Sequence, residues 1–309
     1  MTHTTTEPNQ FARCRRTVAA LRMLLISFLL LAAPSLSAAA PRGLHGNNFF
    51  SNCAFSHMAP DDPIVHPRQP GASHAHTFFG NKTTNAFSTL ASLRRGKTTC
   101  RTKGDTAAYW IPTLYDHGNE VRPAKAQLYY VNRGYDRMQP FPPGLRIVAG
   151  DQHAISPQNE RTVYWSCDAS AISTRIGPRP SKCGVLSARF RGIVQRCPTC
   201  AKQKNFMVRT KTWVELHVVF PDCWDGKHLD SPDHHSHMAY SRDFRCPASH
   251  PVKVPLLRMN IRYPLTDGRG VELASGSPIT AHGDFFNGWD QQALAKLVDA
   301  CFHDRPCNR

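Results

Sequence analysis

Apolar and polar residues alternate in short runs along most of this chain, and clusters of Pro, Gly, Asn and Asp punctuate them. The clearest run lies between residues 213 and 220. Val214, Leu216, Val218 and Phe220 share one side, and Trp213, Glu215 and His217 share the other. A period of two is that of a strand whose successive side chains face opposite ways. The run therefore predicts a half-buried strand with a polar, aromatic outer face. Comparable runs span Tyr109 to Tyr115, Gln127 to Val131, Leu145 to Ala149, Val163 to Cys167 and Val254 to Tyr263. Their β-branched and aromatic content predicts a mainly β fold, a single-domain β-sandwich of jelly-roll type. Only the C-terminal stretch has helical spacing. From Asp290 to Phe302, Leu294, Leu297, Val298 and Cys301 fall on one stripe, and Asn287 or Asp290 can cap it.

Composition refines this picture at the N-terminus first. Arg13, Arg15 and Arg16 precede a short apolar stretch from Met23 to Ala33, and Ala38, Ala39 and Ala40 follow it. That order predicts a secretory signal peptide over residues 1–40 and one mature domain over 41–309, secreted, extracellular or periplasmic. No later stretch is long and apolar enough for a transmembrane span. Removing residues 1–40 takes four Arg and one Glu from a chain of net charge +16, which leaves +13. It also removes Cys14 from eleven cysteines. The remaining even set reads as a disulfide framework. Cys53, Cys100, Cys223 and Cys246 stand at the ends of two long connections, 51–100 and 221–250, which predicts stapled loops. The lone C-x-x-C, Cys197 to Cys200, reads as a further staple in preference to a redox or zinc motif.

Charge is uneven. Eleven Lys/Arg and one acid, Asp168, lie between residues 161 and 211. The excess points to an anionic cell-envelope polymer or acidic polysaccharide as partner. Export and the lack of a nucleic-acid motif argue against nucleic acid.

Three segments concentrate the candidate chemistry. Residues 70–81 carry His74 and His76, which face one side if extended. Residues 225–237 pack Asp225, His228, Asp230, Asp233, His234, His235 and His237 into thirteen positions. Residues 281–290 carry His282, Asp284, Asn287 and Trp289. So many lone pairs are costly to bury without a metal or a dense hydrogen-bond network. The candidate metal ligands are His74, His76, His237 and His282, for zinc or copper if imidazole dominates and calcium or manganese if carboxylate does. The candidate catalytic groups are Asp225, Asp233, Asp284 and His234. A glycosidase needs two carboxylates roughly 5–9.5 Å apart, and a lyase needs a base with a cation to neutralise the uronate. Trp224, Tyr240, Asn287 and Trp289 are the candidate substrate contacts.

These segments also carry a resemblance. Asp62-Pro63-Ile64-Val65, the run Gly71 to Asn81, Phe141 to Leu145, Phe220 to Gly226, Ser231 to Tyr240, Cys246 to Pro251 and His282 to Trp289 occur in this order. Together they resemble the DUF1996 family, secreted proteins of uncharacterised role. The resemblance implies one domain with a shared polar site and implies no reaction. Two function classes follow from the residues. One is a polysaccharide hydrolase or lyase with a His/Asp-rich cleft, metal-assisted. The other is a non-catalytic envelope or metal-binding protein that uses the same cluster for capture or for structure.

Overall fold

The computed structural model describes residues 48–135, 137–169, 172–183, 185–191 and 205–304. The segment read as a signal peptide, Cys197 and Cys200 lie outside them, and so do most side chains of the basic 161–211 run.

Two antiparallel sheets form the body. The larger runs Asn48–Cys53, Lys125–Val131, Leu256–Arg262, Trp213–Val219, Val163–Ala169 and Ile172–Gly177 in spatial order. The smaller runs Phe55–Ala59, His76–Gly80, Ala108–Pro112, His282–Phe286 and Arg146–Gly150. Inward side chains of both sheets make one core. Leu128, Val214, Leu216, Val218, Met259 and Ile261 meet Tyr109, Ile111, Ile147, Ala149 and Phe285 there. This is the sandwich that the alternating runs imply. The 109–115 run is two strands and not one: Ala108–Pro112 ends at Thr113, and Leu114–Asp116 joins a separate three-stranded sheet.

The Trp213–Val219 strand keeps the expected split of faces, but its polar face is not open to solvent. Glu215 and His217 are 2% and 3% exposed. The strand is central, so side chains of both neighbours close over it. His217 shares hydrogen bonds with Ser166 Oγ at 2.6 Å and Asn260 Oδ1 at 3.0 Å, and it stacks on Tyr164. Arg262 Nε donates to Glu215 at 3.1 Å. Each buried polar group there has a partner, which removes the cost of desolvating it.

The C-terminal helix forms at Gln291–Val298. The Asp290 side chain accepts from Ala293 N–H, so Asp290 is the cap. Leu294 and Val298 are buried, and Phe302 beyond the helix stacks on Phe49. Among the described residues no helix is long and apolar enough to cross a membrane.

Disulfides Cys53–Cys100 and Cys223–Cys246 close the two long connections, and Cys167–Cys183 adds a third staple. A ring spanning 23 residues, as for Cys223–Cys246, restricts the unfolded chain by about 3 kcal/mol. The double variant Cys223→Ser/Cys246→Ser should lose stability of that order in urea unfolding.

Asp105 is fully buried and accepts from the Tyr109 hydroxyl at 3.0 Å. The Tyr109 and Tyr130 hydroxyls share a 2.6 Å hydrogen bond, and Trp289 Nε1 donates to Tyr130 at 2.8 Å. Burial pushes the Asp105 carboxyl up to about 7 from the usual 3.8. Its stabilising contribution is therefore complete below pH 4 and is lost as pH rises through 7, at about 1.4 kcal/mol per unit. Asp105→Asn should lack that dependence, so the stability difference between variant and parent should change with pH by that slope, read by denaturant unfolding from pH 4 to 8.

Candidate metal centre

Sheet pairing brings two of the three motif segments together. His76 opens the His76–Gly80 strand opposite Pro112, and Phe78 lies opposite Trp110. Asp284 of the His282–Phe286 strand faces Trp110 from the other side. Alternation along each strand then puts His76, Phe78, His282, Asp284 and Phe286 on one face. Phe79, Tyr109 and Phe285 point the opposite way, into the core between the sheets. Phe78, Trp110 and Phe286 pack with Ile64 and Leu93 in a small outer apolar cluster. The polar members of this face, His76, His282 and Asp284, gather at one end of the smaller sheet.

There the rings of His74, His76 and His282 converge, with centroids 4.3 Å, 5.1 Å and 5.8 Å apart. Ligand atoms of these three histidines lie within 4.8 Å of one another, and so do those of Asp62, His76 and Asp284. His76 belongs to both sets, so it links two overlapping groups of potential ligands, with His74 and His282 in one and Asp62 and Asp284 in the other. Asp62 is held by local geometry, since its Oδ1 accepts from Ile64 N–H and Val65 N–H.

The imidazoles are preset for ligation. His76 Nδ1 donates to the Asp61 carbonyl at 3.0 Å, and His282 Nδ1 donates to the Thr280 carbonyl at 2.9 Å. That tautomer leaves Nε2 bare, the arrangement by which backbone carbonyls orient metal-binding histidines. Burial pushes both rings down to about 3, and neighbouring histidines add to this, so they are neutral. Burial also lowers His74.

Several of these atoms have no partner. His74 Nε2, His76 Nε2 and both carboxylate oxygens of Asp284 are buried without a hydrogen bond. Burial pushes the Asp284 carboxyl well above the carboxylate range, and the Asp62 charge pushes it further. Buried polar groups almost always find a partner. A carboxyl group and two imidazole nitrogens that lack one, in two ligand groups that share His76, fit a divalent cation. The third group of potential ligands, Cys53, Cys100 and Asp105, is no such site, because its cysteines form a disulfide.

A cavity of about 380 Å³ opens onto this cluster. Its lining includes Asp62, His282 and Asp284 together with Asp151, His153, Asp233, His234 and His235. The 225–237 segment therefore reaches the site through Asp233 and His234. His234 adopts a left-handed backbone at φ 59°, uncommon for a residue other than glycine. Its Nδ1 hydrogen-bonds Asp230 Oδ1 at 2.9 Å, and Asp230 is steadied by Ser231 N–H and by Arg146 at 3.5 Å. Asp233 Oδ1 accepts from Ser231 Oγ, His235 N–H, Ser236 N–H and Ser236 Oγ, which hold the carboxyl well below its usual range.

The other sequence candidates lie apart. His237 spends both nitrogens on the fold, with Nδ1 bonded to Ser231 Oγ and Nε2 to the Arg146 carbonyl, so it ties the loop to the sheet edge. Asp225 caps its own turn. Burial acts to raise its carboxyl, but hydrogen bonds from His228 and Lys227 outweigh it and hold it at about 2. Trp224 and Tyr240 do not line the cavity; they bond the His228 and Val219 carbonyls. Asn287 donates to the Phe141 and Pro142 carbonyls, and Trp289 is sealed in the core beside Tyr130. Asp62, Asp151, His153 and Asp230 were not singled out by sequence. For Asp62 the signal was its place in the Asp62-Pro63 motif, where a short side chain bonds the backbone that follows.

The chain matches the family described as Domain of unknown function (DUF1996) over residues 62–289. No curated protein and no solved structure matches it. The matched span begins at Asp62 and runs past Asp284, so it contains all five side chains of the two ligand groups. This chain belongs to the DUF1996 family.

Proposed function

We propose that the chain is an exported metalloprotein. In this reading His74, His76, His282 and Asp284, with Asp62, hold one divalent transition-metal ion at the floor of an open cavity, and the site acts on a saccharide. The observation that carries the reading is Asp284, buried with both oxygens unpartnered beside the bare Nε2 atoms of His74 and His76. The nitrogen-rich donor set suits zinc or copper better than calcium. Three disulfides support an oxidising compartment.

When bound, such an ion polarises a substrate oxygen or lowers the pKa of a bound water. The chain's own residues do the rest. His76 and His282 present Nε2 because backbone carbonyls hold Nδ1. His234, oriented by Asp230 across the same cavity, is placed to accept a proton. Of the aromatic residues expected to contact substrate, Trp289 is buried, and Trp224 and Tyr240 do not line the cavity. A saccharide would thus be held by hydrogen bonds to Asp151, Gln152, His153 and Asp233 at the cavity.

Elemental analysis of the purified protein should find about one zinc or copper ion per chain, and adding zinc to chelator-treated protein should raise its melting temperature. His76→Ala and His282→Ala should each abolish both effects. No bound metal and no thermal shift would reject the site. A second measurement concerns the cost of the empty cluster. Asp284→Leu removes an unsatisfied buried carboxyl at similar volume, so it should stabilise the metal-free protein by about 1–3 kcal/mol. The same variant should abolish the zinc-induced shift.

A further inference from the structure

The cavity that opens onto the cluster carries a charge opposite to that of the chain. Among the described residues its lining holds four acidic side chains, Asp62, Asp151, Asp233 and Asp284, and no Lys or Arg. Asp62 and Asp284 are buried and would neutralise a divalent ion. Asp151 and Asp233 are solvent-exposed and form the mouth. The two mouth carboxylates are fixed in place. Asp151 Oδ1 accepts from His153 N–H at 2.8 Å. Asp233 takes its four hydrogen bonds on Oδ1 and lines the cavity. The unpartnered, fully buried Asp284 on the floor marks the same cavity independently as a place for a ligand.

This proposal rests on the metal reading above for the floor of the cavity and goes beyond it for the mouth. We propose that the mouth formed by Asp151 and Asp233 selects a cationic, hydroxyl-bearing ligand, an amino sugar in a glucosamine-containing glycan, over neutral or acidic saccharides. An ammonium group pairs with the carboxylates, while Gln152 and His153 offer hydrogen bonds to ring hydroxyls. A uronate at the same place would meet two carboxylates and no cationic side chain.

Calorimetric titration of the zinc-loaded protein with a glucosamine tetramer, its N-acetylated counterpart, a galacturonate tetramer and spermidine tests this. The glucosamine tetramer should bind most tightly and the uronate most weakly, and the preference should shrink as salt rises. Asp151→Asn and Asp233→Asn each keep an Oδ1 acceptor and so preserve the local turn. Each should weaken the glucosamine tetramer by about two- to fivefold and weaken the N-acetylated tetramer less, so that the ratio of the two affinities falls. Equal binding of the two tetramers, tighter binding of the uronate, spermidine binding as tightly as the glucosamine tetramer, or no binding of any would overturn the proposal. Metal content is measured on the same samples, with and without chelator. Protein that holds no metal yet keeps the preference and its loss in Asp151→Asn fails the metal reading alone. Protein that loads metal and shows no preference fails this proposal alone.

Discussion

A carboxyl group that sits in the protein with neither oxygen hydrogen-bonded is the constraint around which the rest of the site is arranged. Asp284 lies on a central strand, opposite Trp110, with both oxygens buried. Ionised and alone it would be strongly disfavoured, and protonated it still lacks a partner. The surrounding structure concentrates complementary atoms instead of relieving that cost. Two groups of potential ligands meet at His76, one with His74 and His282 and the other with Asp62 and Asp284. Asp105, Asp222 and the Glu215–His217 pair have partners, while Asn52 Oδ1, Trp110 Nε1 and the Tyr263 hydroxyl are buried without one. Asp284 differs in leaving a whole carboxyl group unbonded in a group of potential ligands with His76.

Much of the architecture was legible because alternation reports one-sided burial. The core faces of Lys125–Val131, Arg146–Gly150, Val163–Ala169, Trp213–Val219 and Leu256–Arg262 follow from spacing alone. The strands that carry the site were not read that way. His76–Gly80 and His282–Phe286 are buried on both faces, so neither shows a period of two. Their histidines looked like loop residues although they open strands of one sheet. The same limit explains Glu215 and His217, because sequence gives the alternation of faces and not what closes over each face.

For the site itself, residue type identified His74, His76, His282 and Asp284 but could not rank the other candidates. His237 and Asp225 have the right chemistry and spend it on the loop. Asn287 and Trp289 brace the connection into the terminal helix. Hydrogen-bond commitments of this kind are fixed only by long-range contacts. Charge needed the same correction. A net charge of +16 describes the whole chain, whereas among the described residues the cavity is lined by four acidic side chains and no Lys or Arg.

The Cys53–Cys100 bridge closes a covalent ring that contains Asp62, His74 and His76, while His282 and Asp284 belong to a strand almost two hundred residues further on. An ion held by both groups would fasten the N-terminal ring to the C-terminal strand. Separating the ring from that strand would then break coordination bonds as well as the pairing of His76–Gly80 and His282–Phe286 with Ala108–Pro112 between them. The cluster would in that case act as a mechanical clasp as well as a place for chemistry.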